Sequence, residues 1–504
     1  MVWSSKNHTA IMLHTLRFIV AVASLSHLIH AFQSIVPVAT SFKATNGLPA
    51  FSLSLGNDTA SVCNSSTPGI AGRLESDDRF ESKMFFWFFE SKNDPLTDPV
   101  ILWMSGGPGA SSTGYGNLME LGPCRIAHEG GSTVENQFGW NQNASVLFVD
   151  QPASVGFSTA KDLPHGLVEA SKRMDCFMRQ FMLAFPQLGD RDFYIAGESY
   201  GGSWVPALAS TILETQGDTT NAQPSNILIQ KAIPDAGMRS AAGLPYLRLR
   251  GILIGNGLVR LRHQNLGALE AACSGPDSIL SAAECVEWSP WALWCEQNIG
   301  VCEDVGLLSK ECKHAQHTCS ALDRLVQGKL GRNPYNWQKP CNADDMVQCF
   351  PELQWVDYLM GQPQVKAALG VPMDTPYHGL SPEVLDIWTQ NGDLFRPSHM
   401  LVNELLDKGI RVLFYVGDKD FLVTAAGMRR LVNEGLSWRG HPLFRFRALA
   451  PWYYRGKVAG QWKGYDALTY AEIYGSGHLT PMELPAETLS LINSWLFRGR
   501  PSSS

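Results

Sequence analysis

The stretch that most constrains this chain is Asp192-Phe193-Tyr194-Ile195-Ala196-Gly197-Glu198-Ser199-Tyr200-Gly201-Gly202. An apolar, β-branched and aromatic run ends in Gly197-x-Ser199-x-Gly201, and a helix-compatible segment follows through Pro206, Ala207, Leu208 and Ala209. The pattern predicts a nucleophile elbow, in which a buried strand turns sharply into a helix and presents the serine hydroxyl at the top of a sheet. Glycines on both sides suit so tight a turn, because side chains there would collide with the neighbouring strand and helix. A bare Gly-x-Ser-x-Gly also occurs in ordinary loops, so its meaning depends on what the rest of the chain supplies.

Strand and helix signals alternate around the elbow. Met84 to Phe89 reads as an aromatic strand, Pro99 to Trp103 as a short buried strand entering a glycine-rich loop, and Ser145 to Asp150 as a strand ending at Gln151-Pro152. Ser171 to Phe185 reads as a helix, and Gly251 to Ile254 as a strand ending in Gly255-Asn256-Gly257. From Leu258 the rhythm stops, and residues 258–350, rich in cysteine, tryptophan and short polar stretches, are expected to form an inserted cap. It resumes with a helix around Val356 to Leu369, strands Arg411 to Val416 and Ala471 to Tyr474, and a last helix from Ala486 to Leu496. Strands alternating with helices predict an α/β fold with a mostly parallel central sheet covered on both faces. Its two parts would be residues 32–257 and 351–497, with 498–504 a disordered tail.

Phe18 to Ile29 is an apolar run preceded by Lys6 and Arg17 and followed by His30-Ala31. It is short for a bilayer span, which needs about 20 residues, and reads as a secretory signal over 1–31 cleaved near Ala31; an uncleaved anchor is the alternative. Secretion is the expected destination, with a vacuolar lumen the alternative, and no stable membrane insertion is expected after cleavage. Eight of the eleven cysteines fall between Cys273 and Cys349, without the paired Cys-x-x-Cys units of a zinc site. Behind an export signal they read as disulfides. An odd count leaves one thiol over, and Cys176, inside an apolar helical pattern, is the candidate. Asn57, Asn64 and Asn143 head glycosylation sequons. A net charge of −7 from 40 basic and 47 acidic side chains offers no footprint for nucleic acid. No metal or organic cofactor is implied.

A serine hydroxyl is a weak nucleophile at neutral pH, so Ser199 needs an imidazole to take its proton and a carboxylate to orient that imidazole. Arg411 to Val416 delivers Gly417-Asp418-Lys419-Asp420 at a strand's carboxyl end, and Ile473-Tyr474-Gly475-Ser476-Gly477-His478 delivers a histidine after a glycine turn. The order Ser, Asp, His is that of the α/β-hydrolase fold. Either aspartate could instead serve only to form the turn, and His478 could be an ordinary loop residue.

Together, Trp103-Met104-Ser105-Gly106-Gly107-Pro108-Gly109-Ala110-Ser111-Ser112, Glu120-Leu121-Gly122-Pro123, Asp150-Gln151-Pro152 with Gly156-Phe157-Ser158, Gly197-Glu198-Ser199-Tyr200-Gly201-Gly202, Gly417-Asp418-Lys419-Asp420 and Gly477-His478 resemble the serine carboxypeptidase family, especially its secreted fungal members. The resemblance runs from about residue 45 to 497, with the cap least alike. It implies an α/β-hydrolase fold, a triad of Ser199, Asp420 (preferred over Asp418) and His478, and removal of carboxy-terminal residues from peptides or proteins at acidic pH. It assigns the oxyanion donors to the N–H groups of Gly107 and Tyr200. Recognition of the substrate's free carboxylate maps onto Trp103, Ser105, Gly106, Glu120 and Glu198. Two glutamates beside a substrate carboxylate cannot all be ionised, so binding should weaken as pH rises and the shared protons leave.

Two departures from the family pattern stand out. Ser105 replaces a common asparagine, and a hydroxyl reaches less far with one donor instead of two. Ala110 replaces a common cysteine, and no cysteine follows Cys349 to partner it. Pairing is therefore expected mainly in the cap, with Cys341 and Cys349 a pair. Ser105 keeps an acyltransferase or esterase on the same fold in view, and a non-catalytic binding protein is the third reading.

Overall fold

The computed structural model describes residues 35–45, 47–67, 69–217, 244–274, 278–319, 331–341 and 349–502, and the expected leader at 1–31 lies outside them. Six parallel strands form the centre of the sheet, in the spatial order Ser145–Val149, Val100–Met104, Asp192–Glu198, Arg248–Gly255, Arg411–Gly417 and Leu468–Ile473. Their near-continuous apolar sequences follow from burial on both faces, since a strand with one wet face would alternate. Val100–Met104 is buried at every position, and Arg411–Gly417 at every position after the first.

Antiparallel strands extend this centre on both sides. Lys83–Phe89, Gly69–Ser76, Phe51–Leu55 and Ser41–Phe42 continue one edge, and Lys457–Tyr465 and Ala450–Tyr454 the other, twelve strands among the described residues. Of these flanking strands only the aromatic one was legible. Phe51–Leu55 shows why: Ser52 and Ser54 face out between buried Phe51 and Leu53, a half-wet alternation over only five residues.

The helix before the elbow spans Leu167–Ala184 and starts four residues earlier than its apolar pattern suggested. Its Phe177 and Phe181, with Phe185 beyond it, surround Phe86 of the aromatic strand at ring-centroid distances of 6.3, 5.2 and 6.2 Å. The single helix expected over 356–369 is two, Pro351–Gly361 and Pro363–Ala368. Pro363 disfavours helical backbone in the residue before it, and Gln362 is extended at ψ 136°. The last parallel strand begins three residues before its expected start, at Leu468, and the last helix is Pro485–Arg498. The tail expected to be disordered is ordered as far as it is described. Gly499 ends the helix in a left-handed conformation, Pro501 is buried, and Ser502 O accepts a hydrogen bond from Tyr453 N.

Between the adjacent parallel strands Arg248–Gly255 and Arg411–Gly417 the chain inserts a region that includes the span read as a cap. Helices dominate there, where the sequence suggested short polar stretches: Gln264–Cys273, Ala282–Val305 and Lys310–Thr318. Ser281 and Glu284 open the longest with a reciprocal capping box. Cys273–Cys285 joins the first helix to the second, and Cys295–Cys319 and Cys302–Cys312 tie the second to the third. Cys341 pairs with Cys349 as expected, while Cys63–Cys124 lies outside the insert. Cys176 is the free cysteine, and burial pushes its thiol up to about 12, so it stays protonated and unreactive.

Candidate active site

Parallel strands bring their carboxyl ends to one edge of the sheet, where ligand sites of open α/β folds form. Here Glu198, Gly255, Gly417 and Ile473 end four adjacent strands, so Ser199, Asn256, Asp420 and His478 leave the sheet on the same side.

The elbow is built as its glycines suggested. Ser199 has φ +59°, a conformation costly for a side chain. Its backbone is pinned on three sides: Ser199 N donates to Gly255 O at 3.1 Å, and Ser199 O accepts from Gly202 N at 2.9 Å and Leu258 N at 2.7 Å. A Cβ on Gly197 would lie 2.6 Å from Met104 O, and one on Gly202 would lie 2.6 Å from Leu258 N, so neither position admits a side chain. Ser199 is half-buried between the fully packed Glu198 and Tyr200.

Asp420, not Asp418, meets the imidazole: His478 Nδ1 lies 2.7 Å from Asp420 Oδ2, and both side chains are buried. A carboxylate only accepts, so the ring proton sits on Nδ1, and Nε2 is left as a buried acceptor without a partner. Asp418 is turned away, accepting from Gly475 N at 2.7 Å and pairing with Lys419 at 3.3 Å. Asn256 Nδ2 at 2.7 Å and Leu422 N at 2.8 Å complete the shell of Asp420.

The glycine-rich loop crosses directly over the elbow. A Cβ on Gly106 would lie 2.6 Å from Ser199 Cβ and 2.8 Å from Tyr200 N, which brings Gly107 and Tyr200 to the same mouth. Gly107 itself has φ +103°. Buried Asp150 braces this loop, accepting from Ser111 Oγ at 2.7 Å, Thr113 Oγ1 at 2.7 Å and Thr113 N at 3.0 Å.

Behind the loop, Trp103 Nε1 donates to Ser105 Oγ at 3.0 Å, leaving the serine's own proton free to donate. Ser112–Leu121 then winds as a π-helix, with i→i+5 bonds such as Gly122 N to Asn117 O at 3.1 Å. That helix carries Glu120 to the carboxyl of Glu198, the residue before the elbow serine. Burial raises both acids; Glu198 is raised further by the charge of Glu120 and by the hydrogen bond between them, with Asp420 and Glu483 adding. Against burial, that hydrogen bond, His478 and Arg125 hold Glu120 lower, and it reaches about 7. The pair therefore holds protons well into the range where ordinary carboxyls have lost them.

Three supporting side chains were not singled out from sequence. Asn256 could have been: it is a polar residue between two glycines at the strand end beside the elbow. Glu483 Oε2 accepts from Gly477 N and from Asn336 Nδ2 at 2.5 and 2.8 Å and fixes the histidine loop. Arg125 donates to Glu120 O at 2.8 Å and Pro481 O at 2.7 Å, joining the two walls. Of the sequon asparagines, Asn57 and Asn64 are exposed, whereas half-buried Asn143 accepts from Asn493 Nδ2 at 2.8 Å. Among the described residues no group of three or more His, Cys, Asp or Glu could hold a metal ion, and no helix is long and apolar enough to cross a membrane.

A model of the serine carboxypeptidase family matches residues 64–498. The chain belongs to the serine carboxypeptidase family. This serine carboxypeptidase is 33% identical over 425 residues to carboxypeptidase Y of Komagataella phaffii, covering 84% of this chain and 74% of that protein. It is 34% identical over 430 residues to the vacuolar serine-type carboxypeptidase ATG42 of Saccharomyces cerevisiae, covering 84% and 78%. Its fold is that of Kex1, a prohormone-processing carboxypeptidase from Saccharomyces cerevisiae, at TM-score 0.69 and 21% identity over 90% of this chain and 92% of that one. Where the family commonly carries a cysteine, Ala110 of this serine carboxypeptidase pairs instead through backbone with Leu380, in an isolated antiparallel bridge.

Proposed function

We propose that this serine-type carboxypeptidase hydrolyses the last peptide bond of peptides through Ser199, His478 and Asp420, and that Glu120 and Glu198 select substrates with a free terminal carboxylate. Ser199 Oγ attacks the scissile carbonyl carbon while His478 Nε2 takes the hydroxyl proton. Asp420 keeps the other ring proton on Nδ1 and stabilises the imidazolium. The oxyanion is received by the N–H groups of Gly107 and Tyr200, each donor worth about 3 kcal/mol in such sites. His478 returns its proton to the leaving amine, the terminal amino acid departs, and water, activated by the same imidazole, hydrolyses the acyl-enzyme.

The observation that carries the reading is the buried Glu120–Glu198 pair beside Ser199. A site for internal peptide bonds or simple esters has no use for two carboxyls at its end wall, whereas protonated carboxyls donate to a carboxylate without needing a cation. Ser105, steadied by Trp103, and the Gly106 N–H supply further donors. The pair binds in its protonated form, so activity on free-acid peptides belongs to acidic pH and falls as the pair ionises above about 7. A secretory leader at 1–31, a lumenal or extracellular destination, and glycans at Asn57 and Asn64 complete the proposal. The region 258–350 serves as the cap over the 32–257 and 351–497 core.

The test compares blocked dipeptides ending in a free carboxylate with the same peptides ending in an amide, at pH 4 to 7, with Ser199→Ala as control. Release of the terminal residue from the acids alone, abolished in Ser199→Ala, is the expected result. If neither peptide is cleaved while a fluorophosphonate still labels Ser199, carboxypeptidase activity is refuted and acyl transfer takes its place.

A further inference from the structure

Glu198, Gly255 and Tyr415 occupy one row across three adjacent parallel strands, since Gly255 is the register partner of both. Residues in one row of a parallel sheet point to the same face, so the carboxyl and the phenol flank Gly255. The glycine leaves room for the ring: a Cβ on Gly255 would lie 2.3 Å from Tyr415 Cζ and 2.4 Å from its Oη. The phenol thus lies over Gly255, on the side of the sheet that carries Glu198.

Tyr415 is fully buried; the Thr480 hydroxyl donates to the phenol oxygen, and no carboxylate accepts from its O–H in the resting structure. Glu198 Oε1 and Glu120 Oε2 are buried, and beyond the hydrogen bond the two carboxyls make with each other no donor reaches them. A buried acceptor left short of a donor costs about 1–3 kcal/mol, and a phenol proton on the same face of the sheet is suited to supply one. Burial, with the charges of Glu198 and Glu120, holds the phenol well above its ordinary range, so it keeps its proton at every working pH.

We propose that Tyr415 is the positioning residue of the carboxylate-recognition pair: its phenol O–H donates to the inward oxygen of the Glu198 carboxyl, which turns the proton shared with Glu120 outward to the substrate. This rests on the reading that the pair binds the substrate's carboxylate. Around the pair the other titratable groups are His478, Asp420, Glu483, Arg125 and Tyr335, and Tyr415→Phe alters none of them.

The experiment measures KM, kcat and their pH dependence for a blocked dipeptide acid in wild type, Tyr415→Phe and Glu198→Gln. Loss of the donor in Tyr415→Phe is expected to raise KM at pH 5 about tenfold with kcat lowered less than threefold. The phenol stabilises the ionised pair more than the protonated one, so its removal should move the alkaline limb upward, by about half to one pH unit. Mere loosening would admit water, ease ionisation and move that limb downward. An unchanged KM, or a limb that stays or moves down, overturns the proposal. Should Tyr415→Phe not accumulate as folded protein, Gly255→Ala, whose methyl group displaces the phenol, must give the same KM rise, and an unaltered KM there overturns it equally. If Glu198→Gln also leaves KM and the limb unchanged, the recognition reading itself fails; if Glu198→Gln shifts them and Tyr415→Phe does not, only the role of Tyr415 falls.

Discussion

The sheet and the cysteine-rich helical part of the insert, the described residues of 258–350, are held together by different means. In the sheet and the helices packed on it, Trp87, Trp103, Tyr415, Trp452 and Trp495 are almost completely buried, in a continuous apolar core. In the insert, the helix Ala282–Val305 buries Cys295, Ile299 and Cys302 but leaves Val286, Leu293 and Val301 exposed, and its contacts fall into two small clusters. Four of the five disulfides lie there. A layer too thin to bury a core of its own is stabilised by covalent links, as in small secreted domains. The candidate site sits on the continuously packed part, and the cysteine-rich region carries most of the staples.

The largest effect that sharpens this contrast is catalytic. Asp420→Asn should lower kcat roughly 10⁴-fold by favouring the wrong imidazole tautomer, with the melting temperature little changed, because Asn keeps the shape of a buried side chain. If a cap substitution remote from Ser199 matched that loss, the chemistry would not belong to the core alone.

Disulfide removal comes next. Serine in place of both Cys63 and Cys124, which close a loop with sequence separation 61, should cost about 4 kcal/mol by the loop-entropy account. The same change at Cys302 and Cys312, separation 10, should cost about 3 kcal/mol. Their distribution matters more than their size. Hydrogen exchange should quicken in 282–318 after the second change while the amides of Arg248–Gly255 and Arg411–Gly417 keep their protection. Simultaneous opening of sheet and insert would break the comparison.

The smallest effect is a slope. Glu120 and Glu198 are raised in the folded chain, so between about 4.5 and about 7 the folded state binds protons that the unfolded chain has already lost. That contribution is fully present below about 4.5 and disappears as pH rises through the raised values. The unfolding free energy should fall between pH 6 and pH 7, by at most about 1.4 kcal/mol for each proton retained, and the urea midpoint with it. Glu198→Gln should flatten the decline.

The same contrast explains what the sequence made legible. Ser199, the Asp418–Asp420 pair and His478 each follow an apolar run that ends in glycine, so local pattern and strand order were enough to find them, while the choice of Asp420 over Asp418 came from the family resemblance. The face-to-face placement of Glu120 and Glu198 came only through family resemblance, because Glu120 rides on a π-helix whose i→i+5 winding leaves no recognisable period. Glu483 and Arg125 were invisible because their roles depend on contacts no local pattern encodes, Glu483 with Gly477 N and the Asn336 side chain, Arg125 with the carbonyls of Glu120 and Pro481. The helix Ala282–Val305 was missed because its buried positions, Ala292, Cys295, Ile299, Gly300 and Cys302, include one large aliphatic side chain while its exposed ones include valine and leucine, which blurs the two faces that periodicity needs.

The most direct measurement is kcat/KM from pH 4 to 8 for one blocked dipeptide in its free-acid and ester forms. The account predicts that the acid is favoured at pH 4 to 5 and that its kcat/KM declines through about 7 as the pair loses its protons, while the ester, which presents no carboxylate to the pair, shows no such decline. A free-acid profile that stays flat or rises toward pH 8 would contradict it.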